Sequence, residues 1–145
     1  MRDFNTFTNK NPRNNGKNLE KGTFYKFKIK AYTEDKKLLG TSSIVRAFTN
    51  GGEYTNISEL TLDTSAKLKI KAGKSITVKS TVKYENPSLD YRIDSTFGKL
   101  VRLETSDSSV AKVKNGKIIG VKKGKCNVYA YTQNGVFKAI TVTVK

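Results

Sequence analysis

Residues 110–126, VAKVKNGKIIGVKKGKC, combine closely spaced lysines with three glycines. These are the residue types of a loop that grips phosphate through backbone N–H groups and an ammonium. That chemistry needs four residues between two glycines, then Gly-Lys followed by Ser or Thr at the start of a helix. Here three residues separate Gly120 from Gly124, Cys126 stands where the hydroxyl should be, and a strand-like run follows. The stretch therefore reads as strands and turns, with Ala111, Val113, Ile118, Val121 and Val128 turned inward and the lysines in water.

Other reactive groups are scarce. The chain has no histidine and a single cysteine, which removes Ser-His-Asp and Cys-His arrangements, intrachain disulfides and zinc clusters. Cys126 alternates in phase with Val128 and Ala130, so a small buried residue is expected there. Glu85, Asp90 and Asp94 carry oxygen ligands but lack the dense spacing of a calcium loop. No catalytic residue, cofactor or metal ligand is assigned, and an enzyme is not expected.

Two segments have the residue types of a binding surface. TFYKFKIKAY, residues 23–32, interleaves aromatics and lysines as an RNA-binding strand does. Strict alternation, however, puts Tyr25, Phe27, Ile29 and Ala31 together on a core face, leaving Phe24 and Tyr32 exposed with the lysines. The second segment, YENPSLDYRIDSTFGKLVR at residues 84–102, is a long connection between economical strands. It contains Tyr91, Arg92, Phe97 and Arg102, residue types that anchor interfaces, and is the candidate partner-binding loop.

The net charge of +16 favours anionic partners. Five of the 28 basic residues are arginine and the rest lysine, a bias toward solvation over the bidentate recognition that arginine provides. Nucleic-acid recognition is accordingly disfavoured, and an anionic cell-wall polymer, a host protein or a glycan are the partners considered. No apolar run approaches the roughly 20 residues that span a bilayer, and the first residues lack the apolar core of a signal peptide, so no membrane span is expected.

The elements that carry these residues are strands. TSSIVRAFT follows the alternating run above. NGGEYTN is a glycine-rich hinge, and LTLD, KLKI and SITVKSTVKY are short strands, SITVKSTVKY being read as continuous over Ser75–Tyr84. Asn115-Gly116 and Asn134-Gly135 each fit a two-residue hairpin turn with positive φ at both positions. The reading is all-β, in two regions. Residues 1–50 form the first, of which 1–18 are weakly ordered; residues 51–57 are a linker and residues 58–145 a second domain.

Over Leu103–Lys145, the steps Ser106-Asp107, Val110-Ala111-Lys112-Val113, Gly116–Gly124 and Val142-Thr143-Val144 resemble the second half of group 2 bacterial immunoglobulin-like domains. LTLDTSAKLKIKAGKSITVKSTVKY resembles their opening strands. The family often has tryptophan a short way before the serine step, where this chain has Leu103. Leu19, Gly22, Thr23 and Tyr25 resemble the corner of a fibronectin type III domain, with Lys21 in place of proline; there the tyrosine hydroxyl bonds back to nearby backbone. The resemblance implies an immunoglobulin-like β-sandwich preceded by a partial fibronectin type III-like segment. It further implies a non-catalytic extracellular or cell-surface module for display or adhesion at the C-terminal end of a larger bacterial protein. The alternative is a structural spacer or wall-attachment tail of a secreted enzyme.

Overall fold

The computed structural model describes residues 19–145. The expectation for residues 1–18 lies outside that range. Among the described residues there are thirteen strands and no helix, so the fold is all-β. Among the described residues no helix is long and apolar enough to cross a membrane.

The described part of the N-terminal half has four short strands: β1 (Phe24–Phe27), β2 (Lys30–Tyr32), β3 (Leu38–Thr41) and β4 (Val45–Phe48). They pair as two separate antiparallel ribbons, β1 with β4 and β2 with β3. The run expected as one continuous strand is thus broken at Lys28-Ile29. At the near end of β1, the N–H of Glu20 donates to Tyr25 Oη at 3.0 Å, the backbone-to-hydroxyl contact expected of the Leu19–Tyr25 corner. Gly22 has φ 65° and a β-carbon on Gly52 would lie 2.4 Å from Gly22 Cα. Two chain segments therefore touch backbone to backbone there, which only glycine permits.

The remaining strands are β5 (Ile57–Leu62), β6 (Lys67–Ile70), β7 (Ser75–Thr77), β8 (Ser80–Tyr84), β9 (Arg102–Thr105), β10 (Ala111–Lys114), β11 (Lys117–Gly120), β12 (Gly124–Tyr131) and β13 (Phe137–Val144). The sheet orders are β10-β11-β7, β6-β13-β12-β9 and β5-β8, and β6 runs parallel to β13. Ser75–Tyr84 is thus two strands, not one: β7 joins the β11 sheet and β8 pairs with β5. Between them, Val78 N–H donates to Gly116 O and Lys79 N–H to the Asp63 carboxylate, so the break keeps its backbone donors paired.

One core joins the three- and four-stranded sheets. Ile70, Val110, Ala111, Ile118, Cys126, Val128, Ile140, Val142 and Val144 form a single buried cluster, with Leu62, Leu68, Ile76, Val78, Leu103 and Val113 against it. Cys126 is buried as its phase requires, and Thr105 Oγ1 approaches its sulfur at 3.8 Å. Val121, expected inside, is 39% exposed. The residue in phase with Ile118 is Gly120, and a β-carbon there would sit 2.7 Å from Lys71 O. The inward place is filled by neighbouring backbone, and Val121 falls just past the strand, outside.

The two Asn-Gly pairs behave differently. Asn115 and Gly116 have φ of 51° and 72°, a primed two-residue turn as expected, joining β10 to β11. At Asn134-Gly135 only the glycine has positive φ. Thr132 N–H bonds Val136 O, and Gly135 N–H bonds Thr132 O. This hairpin therefore turns over three residues, with glycine in the left-handed position. The longer turn places Gln133 and Asn134 where they reach the N-terminal half and the start of β5.

Candidate interface at the junction of the two halves

The long connection after β8 lies against β1 and β4, and its centre is Asp94. One carboxylate oxygen accepts Arg46 Nε at 3.0 Å, and the other accepts Lys26 Nζ at 2.9 Å. Thr96 adds its backbone N–H at 3.1 Å and its hydroxyl, both to Asp94. The bonds from Thr96 and Lys26 lower the Asp94 pKa most; the charges of Lys26 and Arg46 add to them. Together they outweigh burial and hold the carboxyl well below its usual range.

Arg46 is 8% exposed and donates from each of its three guanidinium nitrogens. Besides Asp94, it donates to Ile44 O and Thr96 Oγ1, both at 2.9 Å, and its carbon lies 5.7 Å from the centre of the Phe97 ring. A buried guanidinium with each nitrogen bonded is stabilising only while its partners stay in place.

Gln133, 1% exposed, is the second tie. Its backbone O accepts from Arg46 N–H at 2.7 Å, its side-chain O accepts from Asp94 N–H at 2.8 Å, and its Nε2 donates to Arg92 O at 2.7 Å. Asn56 is the third: its amide accepts from Phe48 N–H and donates to Phe48 O, each at 2.9 Å, and also reaches Glu85 Oε2 at 3.2 Å. Asn56 thus mimics a neighbouring strand along β4. The segment expected as a linker is embedded here, with Thr55, Asn56 and Ile57 buried. Backbone bonds from Thr55 to Asp90 and from Asp90 to Glu53 hold it to the long connection.

The residues singled out in that connection fall at this junction. Phe97 is 2% exposed, capped by Arg46 and, at 5.0 Å, by Arg102, with Tyr131 edge-on at 5.9 Å. Arg92 lies 5.8 Å over the Tyr54 ring, which itself packs on Phe48 at 4.9 Å. Tyr91 is half-buried against Tyr84, and its hydroxyl has no hydrogen-bond partner among the described residues. Burial, then the neighbouring Tyr84, push its pKa up to about 12. Of the carboxylates, Asp94 is the ion-pair centre, Glu85 bonds Asn56, and Asp90 contributes backbone.

Sequence reading missed Arg46, Asn56 and Gln133. The available signal was phase: Arg46 sits two residues before Phe48, on the same face of β4. The face assignment of β1 holds only in part: Tyr25 and Ala31 are half-buried and Tyr32 is exposed, as alternation predicts, but Phe27 is 45% and Ile29 65% exposed, while Phe24 packs at a tilt on Phe48 with ring centres 4.7 Å apart and the exposed Lys26 reaches Asp94. Burial follows whichever face finds a partner, and here the partner is the Asp94 segment. A cavity of about 290 Å³ remains beside it, lined by Phe24, Lys26, Phe48, Arg92, Ile93, Asp94 and Ser95.

No protein-family model matches the chain. No curated protein matches it either. Among solved structures, the chain is similar to domains 4 and 5 of the S-layer protein SbsC, with 16% identity and a TM-score of 0.46 over 73% of this chain and 59% of that one. It is similar to the S-layer protein rSbsC(31-844), with 12% identity and a TM-score of 0.48 over 89% of this chain. A third match is to domains 1-6 of the surface layer protein SbsC, with 12% identity and a TM-score of 0.46 over 83% of this chain. The chain spans 21% and 20% of the length of those last two.

Proposed function

We propose that this chain is a non-catalytic structural module of a cell-surface protein, whose task is to hold two β units in a fixed mutual geometry. The observation that carries this reading is the Arg46, Asp94 and Gln133 network, in which a buried charge pair and backbone-directed amides lock one half to the other. Tyr91, Arg92, Phe97 and Arg102 then serve an internal interface rather than an external partner. Residual dipolar couplings provide the test. Both halves should share one alignment tensor in the native chain and separate into two when Arg46 and Asp94 are both replaced by alanine. Two tensors in the native chain would overturn the reading.

The C-terminal half is read as a group 2 bacterial immunoglobulin-like domain and the N-terminal half as part of a fibronectin type III-like domain. The Asn115-Gly116 hairpin supports the former, and the Tyr25 corner the latter. Display at the surface is checked by protease accessibility of the chain on intact cells.

A second reading, attachment to an anionic wall polymer, is favoured by the distribution of lysine. Strand register puts Lys112, Lys114 and Lys117 on the outer face of the β10-β11-β7 sheet. Lys67, Lys69 and Lys125 share the outer face of the other sheet. Such binding should fade steeply between low and physiological salt, because exposed charges are screened over about 8–10 Å. Salt-independent binding would exclude it.

A further inference from the structure

The two edges of the β1-β4 ribbon differ. Arg46 sends its N–H to Gln133 and Phe48 exchanges bonds with Asn56, so the outer edge of β4 is satisfied by the C-terminal half. In an antiparallel pair, a residue turned away from its neighbour faces a partner turned away in the opposite direction. Lys26 is opposite Arg46 and Phe24 opposite Phe48. The backbone groups of Phe24 and Lys26 therefore point to the other edge of β1, where no strand lies among the described residues.

The face beside that edge is apolar and open. Phe27 is 45% exposed and its cross-strand partner Val45 37%; Ile29 and Leu39 reach 65% and 66%. An unpaired edge with an adjoining exposed apolar face is the geometry that receives an added strand. Charge selects what that strand carries. Past the end of β1 the chain keeps its phase: Ile29 N–H donates to Ser42 Oγ and Ile29 O accepts from Ser42 N–H, so Lys28 and Lys30 turn to the same free edge as Phe24 and Lys26, and neither has a carboxylate within ion-pair distance among the described residues. A second copy of β1 laid along this edge would set lysines of the two chains side by side, which is destabilising for directly opposed like charges.

We propose that the free edge of β1 accepts an extended polypeptide strand whose apolar side chains cover Phe27 and Ile29 and whose alternate, acidic side chains meet Lys28 and Lys30. Main-chain hydrogen bonds to Phe24 and Lys26 supply the register, and the acidic positions supply the selectivity.

The test uses the full chain, labelled for NMR, and three synthetic peptides of about eight residues, a typical strand length. One alternates valine with glutamate, one alternates valine with lysine, and one has the valines and glutamates of the first in separate blocks. The alternating acidic peptide should shift the Phe24 and Lys26 amides and slow their hydrogen exchange. Phe27→Ser and Lys28→Glu should each weaken that binding several-fold while leaving the spectrum of β12 and β13 unchanged. The lysine and blocked peptides should not protect these amides. Equal protection by any two of the peptides, or no shift at Phe24 and Lys26, would overturn the proposal. So would protection of the same amides in the chain alone, whether independent of concentration or rising with it, because the edge would then already be occupied.

Discussion

Among the described residues, the C-terminal half encloses a core and the N-terminal half does not. β5 to β13 gather a continuous buried cluster in which Ile118, Val128 and Val142 are 0% exposed. β1 to β4 form two ribbons whose apolar residues face outward on one side, and isolated two-stranded ribbons are marginal in water. What steadies the β1-β4 ribbon is its neighbour: Lys26 and Arg46 bond Asp94 in the connection after β8, Arg46 bonds Gln133 in the turn after β12, and Phe48 bonds Asn56 just before β5. One half is held by its own core and the other by docking, so the two should respond differently to the same kind of perturbation.

The largest effect is expected in the core. Ile118→Ala leaves a cavity between two sheets and should cost about 3 kcal/mol in urea denaturation. Phe27→Ala, at an exposed position, should cost less than about 1 kcal/mol. Similar losses for both would abolish the distinction between the halves. Gly52→Ala should cost about 2 kcal/mol of N-terminal order, since its methyl group must push against Gly22 backbone. Faster amide exchange in β1 and β4, with β12 unaffected, is the expected pattern.

Asp94→Asn addresses the tie itself. The native carboxyl has a lowered pKa in the docked state, so the stabilisation is present above the unfolded value and is lost as pH falls toward the docked value. The difference in β4 exchange between native and variant chains should be constant above about pH 5 and shrink below about pH 4. A difference that grew on acidification would exclude Asp94 as the source. The smallest change is Tyr91→Phe. Removing a buried hydroxyl that lacks a partner should leave stability unchanged or raise it by up to about 1 kcal/mol, read as a higher melting temperature. A clear loss would reveal a hydrogen bond to Tyr91.

Much of the C-terminal half was legible because its signals are local. Alternation placed Cys126, Val128 and Ala130 inside, and Asn115-Gly116 specified its turn, since positive φ at both residues is a property of the dipeptide and the strands on either side. Asn134-Gly135 carries the same local signal and turns differently, because Gln133 is drawn into bonds with Arg92 and Asp94. The split of Ser75–Tyr84 had no signal in periodicity: β7 and β8 keep compatible phases while pairing with different strands.

The candidate interface was legible in part. The connection at residues 84–102 stood out by length and by Tyr91, Arg92, Phe97 and Arg102, yet nothing in it named Arg46, Asn56 or Gln133 as its partners. By itself, the sequence determined the strand class, the alternation, the tight turn at Asn115 and the overall positive charge, all set by neighbours a few residues apart. Only the tertiary structure decided which face of β1 is covered. Alternation divides a strand into two faces but does not say which one meets another surface. Here Asp94, 68 positions from Lys26 in the chain, holds Arg46 buried and ties the exposed Lys26 to the junction, and it leaves Phe27 and Ile29 outside.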